Sequence, residues 1–174
     1  SCRVSAALRL NDFVPAREAF LPRALKPAGI SIPYHYANYL QPISSAVVHD
    51  KLRTADGDAS TPFSCHFHHA LPLAAPQLCF EFAHPAEQPH TLAATLRFVA
   101  QARALLHGFA GTFTLNLYKA VDLTTVPGRH TPDIFSWFPL FFPLAQPLLV
   151  SAGDAIELHM WRFSTPERVW YEWQ

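Results

Sequence analysis

The sequence has no surplus of charge of either sign, since 13 Lys and Arg residues are matched by 13 Asp and Glu residues in a chain of 174. Nonspecific nucleic-acid binding and polybasic membrane anchoring both require a basic surplus, so we expect neither. Glycine is also scarce, and the six glycines nowhere form the GxGxxG or GxxxxGK patterns that bind phosphates. We therefore expect no nucleotide-type cofactor site of the usual kind within this chain.

Long uninterrupted hydrophobic runs are missing as well. The most apolar stretch, residues 135–149, is broken by Pro139, Pro143 and Pro147, which excludes a transmembrane helix there because proline interrupts helical hydrogen bonding. The three cysteines have no CxxC spacing, which is typical of a reducing compartment. Residues 1–3 contain neither an initiator methionine nor the start of a signal peptide, so we expect a piece of a longer chain.

Apolar residues and prolines are abundant. Half of the residues are hydrophobic and 15% are charged, which predicts a folded core. Prolines recur about every ten residues after Pro62, a density that breaks long helices but is tolerated between short strands. Alternating apolar residues predict strands at 78–82, 112–117, 155–163 and 169–173, with weaker candidates at 91–99 and 148–150. Leu78, Phe80 and Phe82 would share one face, and such strands indicate a closed barrel or a sandwich.

The first part of the chain differs from the rest. Residues 15–21 resemble a short helix with proline at its first position. Residues 30–33 are predicted to form a short strand and residues 34–40 a helical turn. We place an organisational boundary near Pro42, with mixed structure before it and β structure after it. The polar residues 53–60 predict a loop.

Ten histidines raise the question of a metal site. His66 and His68 would share a face of an extended segment and could supply two ligands. A third ligand would have to come from elsewhere, for example from His84 or His90. No spacing provides a complete ligand set, so we favour polar-face histidines without a metal.

The aromatic segment 134–139 is a candidate binding element. It follows a turn at residues 127–132, and a tryptophan entering a strand from a proline-flanked loop can present its ring face at a rim. There Trp137 could hold a cation such as a guanidinium. The alternative is that Phe135, Trp137 and Phe138 are core residues.

Several motifs, taken in order, resemble a known family. They are LHGFAG at 106–111, FSWFP at 135–139, FP at 142–143, QP at 146–147 and VWYEW at 169–173, together with PQLCF at 76–80 and the pair His84-Pro85. They resemble the C-terminal β-barrel of the symmetric-dimethylating (type II) protein arginine methyltransferases. Upstream, residues 29–33 and 40–45 are similar to the segment that joins the family's methyltransferase core to this barrel.

The resemblance implies an antiparallel β-barrel preceded by a short mixed α/β segment. Residues 1–42 would be the end of the methyltransferase core and its connector, and residues 43–174 the barrel without its last strands. The parent enzyme would also contain a TIM-like barrel and a Rossmann-like domain that binds S-adenosylmethionine. This chain alone would bind no cofactor and would be inactive.

The resemblance also assigns site residues. Trp137, with Ser136 and Phe138 beside it, corresponds to the tryptophan that stacks on the substrate guanidinium. Asp12 aligns with the second of two glutamates that grip this guanidinium, while Arg3 stands where the first glutamate belongs. Because of these departures, we keep as an alternative a non-catalytic relative that serves as a scaffold or interaction subunit. A stand-alone metal- or sugar-binding β domain would leave the ordered motifs unexplained.

The implied partners are protein substrates with arginine-rich segments and further copies of the chain, in the cytoplasm and nucleus. The loop at 53–60 is the counterpart of the segment through which family subunits pair. We therefore name Arg53, Thr54, Asp56 and Asp58 as oligomerisation residues. Because this loop is polar, Val47, Val48 and Leu52 would supply most of the apolar contact.

Overall fold

The computed structural model describes residues 26, 29–54, 59–84, 86, 88–134, 137–165 and 167–174. Over these ranges the elements are one helix and ten strands. They are β1 (His35–Ser44), α1 (Ala46–Thr54), β2 (Phe63–Ser64), β3 (Leu71–Pro72), β4 (Gln77–Ala83), β5 (Thr91–Val99), β6 (Ala104–Tyr118), β7 (Val121–Thr124), β8 (Leu140–Val150), β9 (Ala155–Ser164) and β10 (Val169–Trp173).

The strands form two antiparallel sheets. Seven strands make the larger sheet in the order β2-β8-β6-β1-β3, with β4 also pairing with β1 and β7 with β6. The smaller sheet has the order β10-β9-β5. The long strand β6 organises the larger sheet, because it pairs with β8 along one edge and with β1 along the other. The prediction of a mainly β, antiparallel fold is confirmed, whereas no closed barrel is found among the described strands.

The main hydrophobic core lies between the two sheets. Phe98 and Leu158 point into it from the smaller sheet, and Phe82 and Phe109 from the larger one. The rings of Phe98 and Phe109 meet across the two sheets, with centroids 6.2 Å apart. Burial of each such side chain contributes roughly 1.5–3 kcal/mol, so this core is the main source of stability.

A second hydrophobic cluster lies against the other face of the larger sheet. Phe141 and Phe142 are neighbours in β8 and point to opposite faces, Phe142 into the main core and Phe141 into this cluster. Val48 and Leu52, four residues apart on α1, pack into the second cluster.

No helix in the described ranges is long and apolar enough to cross a membrane.

The predicted strands at 91–99, 155–163 and 169–173 are confirmed with nearly the same bounds. Residues 112–117 and 148–150 belong to the longer strands β6 and β8. In the strand predicted at 78–82, Phe80 and Phe82 are buried but Leu78 is exposed. The register between β1 and β4 shifts there, which moves Leu78 off the buried face.

Three local predictions for the first part of the chain were wrong. Residues 34–40 are not a helical turn, because β1 pairs there with β4 on one edge and with β6 on the other. Residues 30–33 form no strand. The loop predicted at 53–60 begins too early, since residues 53 and 54 are the last residues of α1.

The boundary expected near Pro42 lies within β1. The helix predicted at 15–21 lies outside the described residues. The division at residue 42 into a connector and a second domain therefore stays a prediction.

Candidate functional site

Trp137 lies between β7 and β8, where its half-buried ring packs against Phe113 of β6. The ring centroids are 5.7 Å apart and the planes are inclined by 64°, a tilted arrangement that aromatic pairs favour. Phe113 is itself fixed through its backbone. Its N–H donates to the Thr125 hydroxyl (3.1 Å), and its carbonyl accepts from the Thr125 N–H (3.0 Å) and the Thr124 hydroxyl (2.9 Å). One side of Trp137 is thus supported by a well-anchored strand.

Trp137 and Phe138 line a small, mainly apolar cavity with a volume of about 50 Å³. Residues of β1, β4, β6 and β8 line the rest of it, with Met160 and Tyr171 contributed by the smaller sheet. Gly111 shapes the wall, because a Cβ atom there would lie 2.7 Å from the Phe142 ring. The absence of a side chain at Gly111 therefore allows the Phe142 ring to pack directly against the backbone of β6.

The polar groups of this cavity are few. Among the described residues no Asp or Glu lines it, and the buried Thr112 hydroxyl has no hydrogen-bond partner in the same part of the chain. Burial raises the pKa of the Cys79 thiol to about 12, so this thiol stays protonated at neutral pH and is a poor nucleophile. Among the described residues, the lining therefore presents several aromatic rings but no carboxylate, histidine, lysine or arginine.

The sequence-predicted site residues divide into three groups. Trp137 and Phe138 come together at the cavity, as described above. Arg53 and Thr54 end α1 rather than lying in a loop. The others lie outside the described residues: Arg3, Asp12, Asp56, Asp58 and Ser136.

The histidines near Cys65 do face one another. The rings of His66 and His68 stack with centroids 5.2 Å apart, and His66 also meets Phe138 at 4.7 Å with perpendicular planes. No group of three potential metal ligands occurs among the residues that the structure describes. His84, considered as a third ligand, is buried and stacks on Tyr36 instead.

A second pair of histidines, which sequence reasoning missed, lies at the start of α1. The Nδ1 atom of buried His107 accepts a hydrogen bond from the Ser45 N–H at 3.1 Å, and the Ser45 hydroxyl accepts one from the Val48 N–H at 3.4 Å. Ser45 is therefore the N-cap of this helix. Burial, and secondarily the neighbouring His49, lower the pKa of His107. Neutral His107 thus helps to hold the helix start.

The apolar residues assigned to subunit pairing also need correction. Val48 and Leu52 are 4% and 8% exposed, because α1 turns them into the second hydrophobic cluster. A side chain used inside its own subunit cannot contribute to a contact between subunits. Of the three residues named, Val47 is exposed, at 50%.

Comparison with known proteins identifies the family. A family model described as the PRMT5 oligomerisation domain matches residues 35–174. The chain belongs to this family. The match begins at the first residue of β1 and extends through β10, so it includes both sheets and the Trp137 cavity.

Curated relatives agree with the PRMT5 family assignment. The chain is 36% identical over 159 residues to protein arginine N-methyltransferase 5 of Xenopus laevis, covering 86% of the chain and 25% of the relative. It is 38% identical over 173 residues to the protein of the same name from Oryza sativa subsp. indica, and the match covers 94% of the chain and 26% of the relative. It is 32% identical over 163 residues to protein arginine N-methyltransferase skb1 of Schizosaccharomyces pombe, and the match covers 83% of the chain and 26% of the relative. The chain spans about a quarter of the length of these relatives.

Proposed function

We propose that this chain is the C-terminal β-barrel part of a symmetric-dimethylating protein arginine methyltransferase. In the parent enzyme a methyl group passes from S-adenosylmethionine to protein arginine. This domain supplies Trp137, with Ser136 and Phe138 beside it, to the substrate arginine, and it supplies contacts between subunits.

The observation that carries the proposal is the setting of Trp137. Its ring is half-buried, lines an apolar cavity and is supported by Phe113 at 5.7 Å. A supported tryptophan face binds a guanidinium through cation–π attraction and excludes water from one side of it. The relatives named above are protein arginine N-methyltransferases, which supports arginine as the bound group.

The described cavity does not fit the methyl donor. Its volume of about 50 Å³ is too small for the whole donor, and among the described residues its lining has no charged side chain to bind the methionine part. We therefore place S-adenosylmethionine in the other part of the parent enzyme. No described carboxylate lines the cavity, and Asp12 is our candidate within this chain for one that holds the guanidinium.

The subunit contact rests on the family and on one exposed face. The matching family model is that of an oligomerisation domain, and α1 presents Val47 to solvent. We propose that this region pairs two copies of the parent enzyme. In each copy, the two sheets described above would make up the barrel. The parent enzyme would act on arginine-rich proteins, and it would do so in the cytoplasm and nucleus.

Peptide binding by the full-length parent enzyme tests the role of Trp137. Calorimetry would compare an arginine peptide with the same peptide carrying lysine, for the wild type and for Trp137→Ala. We expect Trp137→Ala to weaken binding of the arginine peptide by about thirtyfold, since a desolvated cation–π contact contributes roughly 2 kcal/mol. Unchanged affinity for the arginine peptide would refute the assignment.

Sedimentation of the parent enzyme tests the subunit contact. We expect Val47→Asp combined with deletion of residues 55–58 to shift the enzyme to smaller species without unfolding it. Val121→Asp is the matched control, because Val121 is also an exposed valine, at 56%, but lies on β7. An unchanged sedimentation coefficient for the first variant would exclude this region as the contact.

A further inference from the structure

The segment that leads into β8 is accompanied by a second segment from a distant part of the chain. Phe63 and Ser64 of β2 pair with Phe141 and Leu140 at the start of β8. The pairing continues beyond β2, because the Cys65 N–H donates to the Pro139 carbonyl at 3.1 Å. One residue further, the side chain of His66 reaches Phe138.

The contact between His66 and Phe138 is well defined. The ring centroids are 4.7 Å apart and the planes are at 90°, a favoured geometry for an aromatic pair. The ring of His68 in turn stacks on the ring of His66, with centroids 5.2 Å apart. His66 and His68 are exposed while Phe138 is half-buried, so the histidines cover an aromatic side chain that would otherwise face water.

Trp137 is held by two aromatic contacts, one direct and one through its neighbour Phe138. Phe113 contacts it directly from β6, and Phe138, its neighbour in the chain, is held from the β2 side by His66. Both aromatic rings line the cavity proposed to receive the substrate. Because Phe138 and Trp137 are consecutive residues, a contact that holds the Phe138 ring also restricts the backbone next to Trp137.

We propose that His66 is a positioning residue for Trp137, acting through its perpendicular contact with Phe138. The inference rests on the proposed function of Trp137 for its effect on turnover, but the contact itself can be tested without turnover. We assign His66 no contact with substrate or cofactor. Its role is to fix the angle at which Trp137 meets the guanidinium.

The test uses the full-length parent enzyme with three variants. His66→Ala removes the ring, His66→Phe keeps a planar ring that can meet Phe138 in the same way, and His69→Ala is the matched control because His69 is a neighbouring exposed histidine. The first readout is kcat and KM with an arginine peptide. The second is the fluorine resonance of 5-fluorotryptophan at position 137, assigned with Trp137→Phe.

We expect His66→Ala to lower kcat/KM by about three- to tenfold, the range of a single aromatic pair. The Trp137 resonance should shift in the same variant. His66→Phe should restore both values to within about twofold of the wild type, as a ring contact requires. His69→Ala should change neither. The effects of His66→Ala and Phe138→Ala should not add, since one contact joins the two residues.

Two results would overturn the inference: a Trp137 resonance that is unchanged in His66→Ala, or a His66→Phe variant that behaves like His66→Ala. Failure of the proposed function looks different. In that case Trp137→Ala would keep full turnover, and the resonance in His66→Ala alone would decide whether His66 positions Trp137.

Discussion

The guanidinium carbon of Arg162 lies 5.1 Å from the ring centroid of Phe82, in the middle of the main core. Arg162 is fully buried, and none of its three guanidinium nitrogens has a hydrogen-bond partner among the residues that the structure describes. Cation–π attraction offsets part of the cost of burying this charge, but a buried charge without a hydrogen bond destabilises the fold.

We therefore expect Arg162→Met to raise the melting temperature, because methionine fills a similar volume without a charge. Differential scanning calorimetry measures this, and Arg97→Met serves as control since Arg97 is exposed and pairs with Glu157 at 2.6 Å. A lower melting temperature for Arg162→Met than for the wild type would show that Arg162 has a partner that stabilises it.

His107 should make stability depend on pH. Its pKa is lowered in the folded chain, so the unfolded chain binds more protons below the ordinary histidine pKa of about 6.5. The contribution of neutral His107 to the free energy of unfolding should therefore be fully present above about pH 6.5. It should decrease as the pH drops below that value. Protonation also removes the acceptor for the Ser45 N–H at the start of α1.

Replacement of His107 by asparagine separates these effects. Asparagine can accept the Ser45 hydrogen bond through its side-chain oxygen but does not titrate. Urea unfolding between pH 5 and pH 8 (values chosen to bracket about 6.5) should show a smaller pH dependence for His107→Asn than for the wild type. Equal dependence in both proteins would exclude His107 as the source.

Gly108 should tolerate no side chain. A Cβ atom there would lie 2.3 Å from the Phe142 carbonyl oxygen and 2.8 Å from the Phe141 ring. Gly108→Ala should therefore force β6 and β8 apart and lower the free energy of unfolding by roughly 1–3 kcal/mol or more. Gly128→Ala is the matched control, because φ is positive at both glycines, 156° at Gly108 and 77° at Gly128, but an added atom at Gly128 has nothing within 4 Å. Equal losses in the two variants would show that backbone strain, not the close approach, determines the cost.

The sequence predicts elements well where the signal is local. Strand β9 alternates between buried and exposed residues along its length, and one hydrophobic period is enough to identify it. The residues of β1 carry no such period, since both faces of this strand are buried: Tyr36 and Leu40 pack into the main core and Ile43 into the second cluster. Helix α1 was missed for a similar reason: its start depends on the contact between Ser45 and His107, which are 62 residues apart.

The candidate site shows the same division. Trp137 and Phe138 can be found from the sequence, because the motif that contains them is compact and specific. Their supports cannot be found in this way. Phe113 and His66 reach them only after β6, β7 and β8 have been arranged, and no spacing in the sequence encodes those two contacts.

Turnover and stability of Trp137→Ala, measured together in the full-length parent enzyme, test the central claim most directly. If Trp137 faces the substrate, kcat/KM for an arginine peptide should fall by at least about tenfold, while the melting temperature stays within about 2 °C of the wild type. Trp170→Ala, which removes a ring stacked on Phe163, is the control and should keep wild-type turnover per folded molecule. A large fall in melting temperature with unchanged turnover of the remaining folded enzyme would contradict the claim and would make Trp137 a core residue.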